Sequence, residues 1–244
     1  MFVDVILRPS DLQPHLLDGR TAVVFDVLRA TTSMAAAFAA GVTEIRVFPD
    51  SSSARSAAQE FEGPRILCGE ERCLPPPGFD LGNSPLAFIT SRHADHTVFM
   101  STTNGTRAIF AARSAAQLFI GALVNASATA RAVADRSLNA ILLCAGTDGQ
   151  IALEDLLGCG AVLDALSKRI PVLDGSDLCI LARRLFAACH ADLAGALRET
   201  RGGRNVIAAG LERDIDFAAA LDRLPNIVGR VTGDPPVVRR LVRA

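Results

Sequence analysis

The chain has 244 residues, half of them hydrophobic and 21% charged, which suits one large globular domain or two small ones with a sizeable core. A net charge of −1, with basic residues scattered apart from a short cluster at Arg239, Arg240 and Arg243, argues against a general nucleic-acid binder. The alanine-rich stretches are broken by charges before the ~18–20 apolar residues that a membrane span needs. 

The N-terminal text MFVDVILRPSDL lacks the basic-then-apolar layout of a signal peptide. The six cysteines form neither a C-x-x-C pair nor a zinc spacing, and most lie in apolar runs. Free thiols in a soluble, cytoplasmic protein are therefore expected.

In chain order, FVDVIL from Phe2 and TAVVFDVL from Thr21 read as strands, the second nearly all apolar, like a strand buried on both faces. Alanine-rich text at 32–40 reads as a helix ended by Gly41. EIRVFP from Glu44 is a strand stopped by Pro49, and 51–61 a helix with Ser51, Ser52 or Ser53 as N-cap. RILCGE from Arg65 is a strand that leads into a loop. Residues 71–88, with Pro75, Pro76, Pro77, Gly78, Gly82 and Asn83, cannot be an element interior. A loop this long is more often functional than idle.

Strand, loop and helix recur in HTVFMSTTNGTRAIFAAR from His96 and in LNAILLCAGTDGQIALEDLLGCGAVLDAL from Leu138. The run from Ser176 reads as one or two helices, that from Asn205 carries more acid, and GDPPVVRRL from Gly233 reads as a proline-stiffened strand or arm. With no low-complexity linker, 1–244 reads as a single domain.

The units at about 21–48 and 97–120 look like imperfect repeats aligned on Thr31-Thr32 and Thr102-Thr103; a third, at 138–167, shares the layout without the pair. Such repetition predicts an α/β fold, a largely parallel sheet with helices on both faces. Right-handed crossovers would bring the strand ends to one edge, where open α/β sheets bind ligands.

The loops at that edge supply Asp26, Arg29, Thr31 and Thr32, then Thr102, Thr103, Asn104, Gly105 and Thr106. The third supplies Gly146, Thr147, Asp148 and Gly149, with Glu154 and Asp155 early in its helix. Hydroxyls and free amides at helix starts make anion sites, and Arg29 offers a planar clamp for phosphate or sulfonate. Each threonine also reads as a helix cap, Asn104-Gly105 as a turn, and Asp26 as a mere partner of Arg29. It is the convergence of polar loops that points to a ligand.

The irregular segment adds Glu70, Asp80, Asn83 and Ser84. Carboxylates there, with Asp26, suit a hard cation such as Mg²⁺, which prefers one or two carboxylates plus water and phosphate oxygens. The Walker loop, the dinucleotide glycine motif, the G-x-S-x-G elbow and the cysteine-phosphatase loop are all absent. The one D-x-D, Asp214–Asp216, follows helical text, which is wrong for an aspartyl-phosphate nucleophile, and the four histidines lie outside these loops.

DVLRATT at 26–32, GFDLGNSP at 78–85, TTNGT at 102–106, CAGT at 144–147 followed by Glu154-Asp155, and the late GLERDIDFAAALD together resemble, in order, the 2-phosphosulfolactate phosphatase family. The likeness runs from about Val3 to Val231. It implies an Mg²⁺-dependent α/β phosphatase that hydrolyses 2-phospho-3-sulfolactate to 3-sulfolactate and phosphate, a step toward coenzyme M. The family pattern falls on Asp26, Arg29, Thr31 and Thr32, on Gly69, Glu70, Asp80, Asn83 and Ser84, on Thr102, Thr103, Asn104 and Thr106, and on Glu154 and Asp155.

Within that set, catalysis is assigned to Asp26, Arg29 and Asp155, and the metal to Asp26, Glu70, Asp80 and Glu154. Substrate binding is assigned to Thr31, Thr32, Asn83, Ser84, Thr102, Thr103, Asn104 and Thr106. ERCLPPP at 71–77 departs from the pattern, since glycine and a basic residue are expected there, and substrate identity turns on it. The expected partner is a small anionic phosphorylated substrate, with homo-oligomerisation a further possibility. Two alternatives stand beside this reading: a phosphatase of another small phosphorylated carboxylate, and a non-catalytic protein that binds an anionic metabolite.

Overall fold

The structure, a computed structural model, describes residues 1–241, so Arg243 of the basic cluster lies outside the described residues. β1 (Phe2–Ile6) is followed by β2 (Thr21–Phe25), α1 (Ala30–Ala39), β3 (Glu44–Val47), α2 (Ser51–Gln59) and β4 (Arg65–Gly69). Beyond the irregular segment come α3 (Thr90–His93), β5 (Thr97–Ser101), α4 (Gly105–Ala111), β6 (Gln117–Gly121), α5 (Ala126–Ala134), β7 (Ala140–Cys144) and α6 (Leu153–Ser167). β8 (Leu173–Asp174), α7 (Asp177–Cys189), α8 (Leu193–Glu199), α9 (Arg201–Ala208), α10 (Arg213–Ala219), β9 (Gly229–Thr232) and β10 (Val237–Arg240) follow. The N-cap of α2 is Asp50, whose carboxylate accepts from Ser53 N at 2.7 Å, and not a serine.

All the strands share one sheet in the order β4-β5-β3-β10-β9-β6-β2-β7-β1-β8. β4, β5 and β3 are mutually parallel, as are β6, β2, β7, β1 and β8. The β9–β10 hairpin joins these two blocks by antiparallel pairing on both sides, Val238 opposite Ile45 and Gly229 opposite Ile120. GDPPVVRRL is thus not a terminal arm. Its valines form an interior strand, and Pro235 and Pro236 stand in the turn, where a missing N–H removes no ladder bond.

The antiparallel steps give the two blocks opposite strand directions, yet their strand ends meet. A Cβ on Gly105, just after β5, would lie 2.7 Å from Asp26 Oδ2, just after β2. Twist explains the meeting. Roughly 20–25° per strand, over the steps from β5 through β3, β10, β9 and β6 to β2, turns the strand direction by about 100–125°. The coiled sheet wraps both sets of C-terminal ends around one cleft.

α1 packs on one face of the sheet. Its sequence ATTSMAAAFA carries no charge and is buried on every face from Ala30 to Phe38, as an all-round apolar helix requires. With α4 it closes a core that joins Val24, Ile120 and Leu143 of one block to Ile45, Val98 and Met100 of the other. On the opposite face α5, α6 and α7 cover Val23, Phe25, Phe119 and Leu142, and α2 covers Leu67 and Phe99. The unit β2–α1–β3 carries the chain from one block to the other, and β5–α4–β6 carries it back.

Candidate active site

TAVVF makes β2 a fully buried strand, and it ends by placing Asp26 at the mouth of the cleft. Asp26 N donates to Thr31 Oγ1 (3.1 Å), which donates back to Asp26 O (2.9 Å), while Ala30 N donates to Asp26 Oδ1 (3.1 Å). Thr32 Oγ1 donates to Val27 O (2.7 Å). Both threonines are wholly buried with their hydroxyl protons committed. Thr31 and Thr32 thus shape the turn, and neither lines the cleft.

The turn after β5 repeats this frame. Thr102 N donates to Thr106 Oγ1 (3.4 Å), Thr106 Oγ1 donates to Thr102 O (2.6 Å), and Thr106 N donates to Thr102 Oγ1 (3.2 Å). The structural equivalents are thus Asp26 with Thr102 and Thr31 with Thr106, not the two Thr-Thr pairs. Thr102 and Thr106 are buried, bonded to each other and outside the lining of the cleft, whereas Thr103 and Asn104 line it.

The cleft between the turns measures about 460 Å³ and is lined by Asp26, Arg29, Glu70, Asn83, Thr103 and Asn104, together with Arg72, Cys73, Thr147, Asp148, Gly202 and Asn205. Glu70 ties its loops together, accepting from Thr103 N (2.7 Å) and from Cys73 N (2.9 Å). Asn104 Oδ1 accepts from Asp148 N (3.3 Å) and joins the second loop to the third. Asn83 is buried and its Oδ1 has no hydrogen-bond partner among the described residues, which leaves an acceptor on the lining.

Arg29 is less free than a phosphate clamp should be. Its Nη1 donates to Asp214 Oδ2 and its Nη2 to Cys73 O, each at 2.6 Å, and the Arg29–Asp214 pair is almost wholly buried. Asp214 also accepts from Ser84 Oγ (2.6 Å), so Ser84 anchors the helical tail and does not line the cleft. Asp214 was not legible as a site residue. It lies on α10, far along the chain from Arg29, and only a buried-acid environment distinguishes it from Asp216.

Two other assignments change. Asp80 is exposed, lies outside the lining and accepts from Leu67 N (2.7 Å), which fastens the irregular loop to β4. Asp155 is fully buried, and its two oxygens accept from Val27 N (2.8 Å) and Gly146 N (3.1 Å). It staples the first loop to the third and does not reach the cleft. Glu154 sits behind Thr147, whose hydroxyl donates to its Oε1 (3.3 Å), while Oε2 is buried without a partner. A Cβ on Gly202 would come within 1.9 Å of Glu154 Oε1, so only glycine lets α9 start against this acid.

Burial, reinforced by the charges of Glu70 and Glu154 and tempered by the Ala30 and Gly105 amides, pushes the Asp26 carboxyl up to about 7. Burial also raises Glu154, and it raises Asp155 well above the usual range with help from Cys144, Asp26 and Glu154. Arg29, the arginine buried with these acids among the described residues, is paired with Asp214, so no free buried cation stands beside them. Among the described residues no cluster of three or more His, Cys, Asp or Glu side chains forms a ready-made metal cage. Mg²⁺ needs no such cage. Asp26 and Glu70 on the lining, with the orphaned Glu154 oxygen behind, fit a cation that takes one or two carboxylates and fills its shell with water and phosphate oxygens.

Residues 6–232 match a family model described as 2-phosphosulpholactate phosphatase. Three similar proteins each carry the name probable 2-phosphosulfolactate phosphatase. That of Synechococcus sp. (strain JA-3-3Ab) is 39% identical over 86% of this chain and 88% of its own length. That of Deinococcus radiodurans is 37% identical over 92% and 93%, and that of Symbiobacterium thermophilum 35% identical over 85% and 90%.

Proposed function

The chain belongs to the 2-phosphosulpholactate phosphatase family, and from that membership we propose that it is a phosphoric monoester hydrolase that converts 2-phospho-3-sulfolactate and water to 3-sulfolactate and phosphate. The observation that carries the reading is Asp26, held at a strand end beside Glu70 and Glu154 in a cleft with no free counter-charge among its buried groups. Asp26 and Glu70, with the unpartnered Glu154 oxygen near them, are the residues that would hold Mg²⁺. When bound, the cation neutralises charge on the phosphoryl group.

The remaining N–H groups of Arg29, with the side chains of Thr103, Asn104 and Asn83, bind the phosphoryl oxygens and fix their orientation. Water attacks phosphorus, the ester P–O bond breaks, and a proton from the water ends on the departing alkoxide. Among the described residues no serine or histidine lines the cleft. Cys73, the one lining cysteine, is kept as a thiol by burial, which raises its pKa.

A reducing cytoplasm suits the thiols. All six are free, and the thiols of Cys144 and Cys159 share a hydrogen bond at 3.6 Å with no disulfide between them. No helix among the described residues is long and apolar enough to cross a membrane. A place on the route to coenzyme M follows from the product, 3-sulfolactate.

The test is phosphate release from 2-phospho-3-sulfolactate with Mg²⁺ and then with EDTA, beside a panel of small phosphorylated carboxylates. Release that requires the metal and prefers the sulfonate supports the assignment. Release only from other esters moves the substrate and keeps the chemistry. Ligand-induced stabilisation with no release would reduce the cleft to a binding site.

A further inference from the structure

The segment ERCL at 71–74 forms a two-residue hairpin. Glu71 N donates to Leu74 O (2.9 Å) and Leu74 N to Glu71 O (3.2 Å). Its central residues Arg72 and Cys73 have φ of +52° and +69°, the left-handed geometry of a type I′ turn. Asn-Gly and Gly-Gly occupy such turns without strain; an arginine followed by a cysteine does not.

The hairpin is nonetheless held rigidly. Cys73 O accepts from Arg29 Nη2 and Cys73 N donates to Glu70, so the backbone beside Arg72 is clamped by two groups of the cleft itself. Ser51 Oγ further fixes Glu71 (2.8 Å).

From this base Arg72 lines the cleft with no hydrogen-bond or ion-pair partner among the described residues. The other cations nearby are engaged, Arg29 by Asp214 and Arg201 by Asp148 at 3.6 Å. An unpaired guanidinium held on a strained turn over an acidic cleft is placed to meet a second anionic group of whatever enters it. We propose that Arg72 is a specificity-determining residue that receives the sulfonate, the acidic group of the substrate remote from the phosphate. The proposal rests on the phosphatase assignment above. Its planar fork can take two of the sulfonate oxygens at once.

The test compares wild type, Arg72→Gly and Arg72→Lys on 2-phospho-3-sulfolactate and on phospholactate, which keeps the carboxylate and lacks the sulfonate. Arg72→Gly should lower the preference in kcat/KM for the sulfonated ester by about 10- to 100-fold, mainly through KM. The same variant should melt at a higher temperature than wild type, because glycine accepts φ +52° freely, and this guards against a misfolding explanation. Arg72→Lys, with charge but no fork, should recover part of the preference.

An active wild type whose preference is unchanged in Arg72→Gly, or a variant that loses both esters in equal proportion, overturns the role of Arg72 alone. A wild type that releases phosphate from neither ester overturns the phosphatase assignment, and the role of Arg72 with it.

Discussion

The turns after β2 and β5 are built alike. In each, the last residue's N–H and C=O are both tied to the hydroxyl of a threonine in the first helical turn, and its own side-chain oxygen accepts an amide of that turn. They differ in the oxygen at the centre, a carboxylate at Asp26 and a hydroxyl at Thr102. One turn contributes charge to the cleft. The other contributes room and scaffolding, through Gly105, which lets Asp26 approach, and through the Thr103 amide that holds Glu70. One frame can thus serve two purposes, and the residue at its centre selects between them.

The most direct way to break this comparison is to write one turn into the other. Asp26→Thr keeps a side-chain oxygen for Ala30 N and should fold, yet phosphate release should fall by about 10²–10³-fold or more, as for loss of a group acting on transition-state charge. Turnover within about threefold of wild type would mean that the central charge is not what separates the turns.

Asp214→Ala strips Arg29 of its buried counter-charge and should destabilise the protein by about 3–5 kcal/mol, read as a lower denaturant midpoint. An unchanged midpoint would show that the helical tail does not anchor the first turn.

Acid chemistry should separate the turns further. Asp26 titrates at about 7 when folded, against roughly 3.9 in an unfolded chain, and Glu154 and Asp155 are raised in the same sense. The folded protein retains protons that the unfolded chain has lost. Without metal, its stability should fall as pH rises from about 4 to about 7. A divalent cation replaces those protons, so Mg²⁺ should raise Tm more at pH 8 than at pH 5, and Asp26→Thr should reduce the difference. Equal shifts at both pH values would count against Asp26 as a ligand.

The smallest effect concerns the shared frame. Thr31→Val and Thr106→Val should each lower stability by about 1 kcal/mol or somewhat more, by similar amounts. Only Thr31→Val should also disturb turnover markedly, because it alone loosens Asp26. Equal kinetic losses would imply that Thr102 reaches the chemistry after all.

Much of the fold was legible because strands buried on both faces and an uncharged helix such as α1 announce themselves in hydropathy. The β9–β10 hairpin at the centre of the sheet was not. Its partners β3 and β6 lie more than a hundred residues away, and nothing local marks an interior strand after two prolines. In the site, the polar loops could be read from the text, but the direction of each side chain could not. Thr31, Thr32, Thr102 and Thr106 look the same in sequence as threonines that face a ligand, and only their buried hydroxyl bonds show otherwise. Asp214 and Arg72 were missed for different reasons, one a distant acid in helical text, the other an arginine inside a proline-rich segment whose expected basic residue was not identified with it.

The position of that hairpin also governs the order in which the molecule can be assembled during its synthesis. Residues 1–228 hold both parallel blocks and the whole lining of the cleft, but β3 and β6 then present bare edges to one another, open to pairing with neighbouring chains. Only when β9 and β10 have left the ribosome can the two edges be bridged and the strand ends drawn around the cleft. The hairpin at 229–240 is the segment that turns two half-sheets into one.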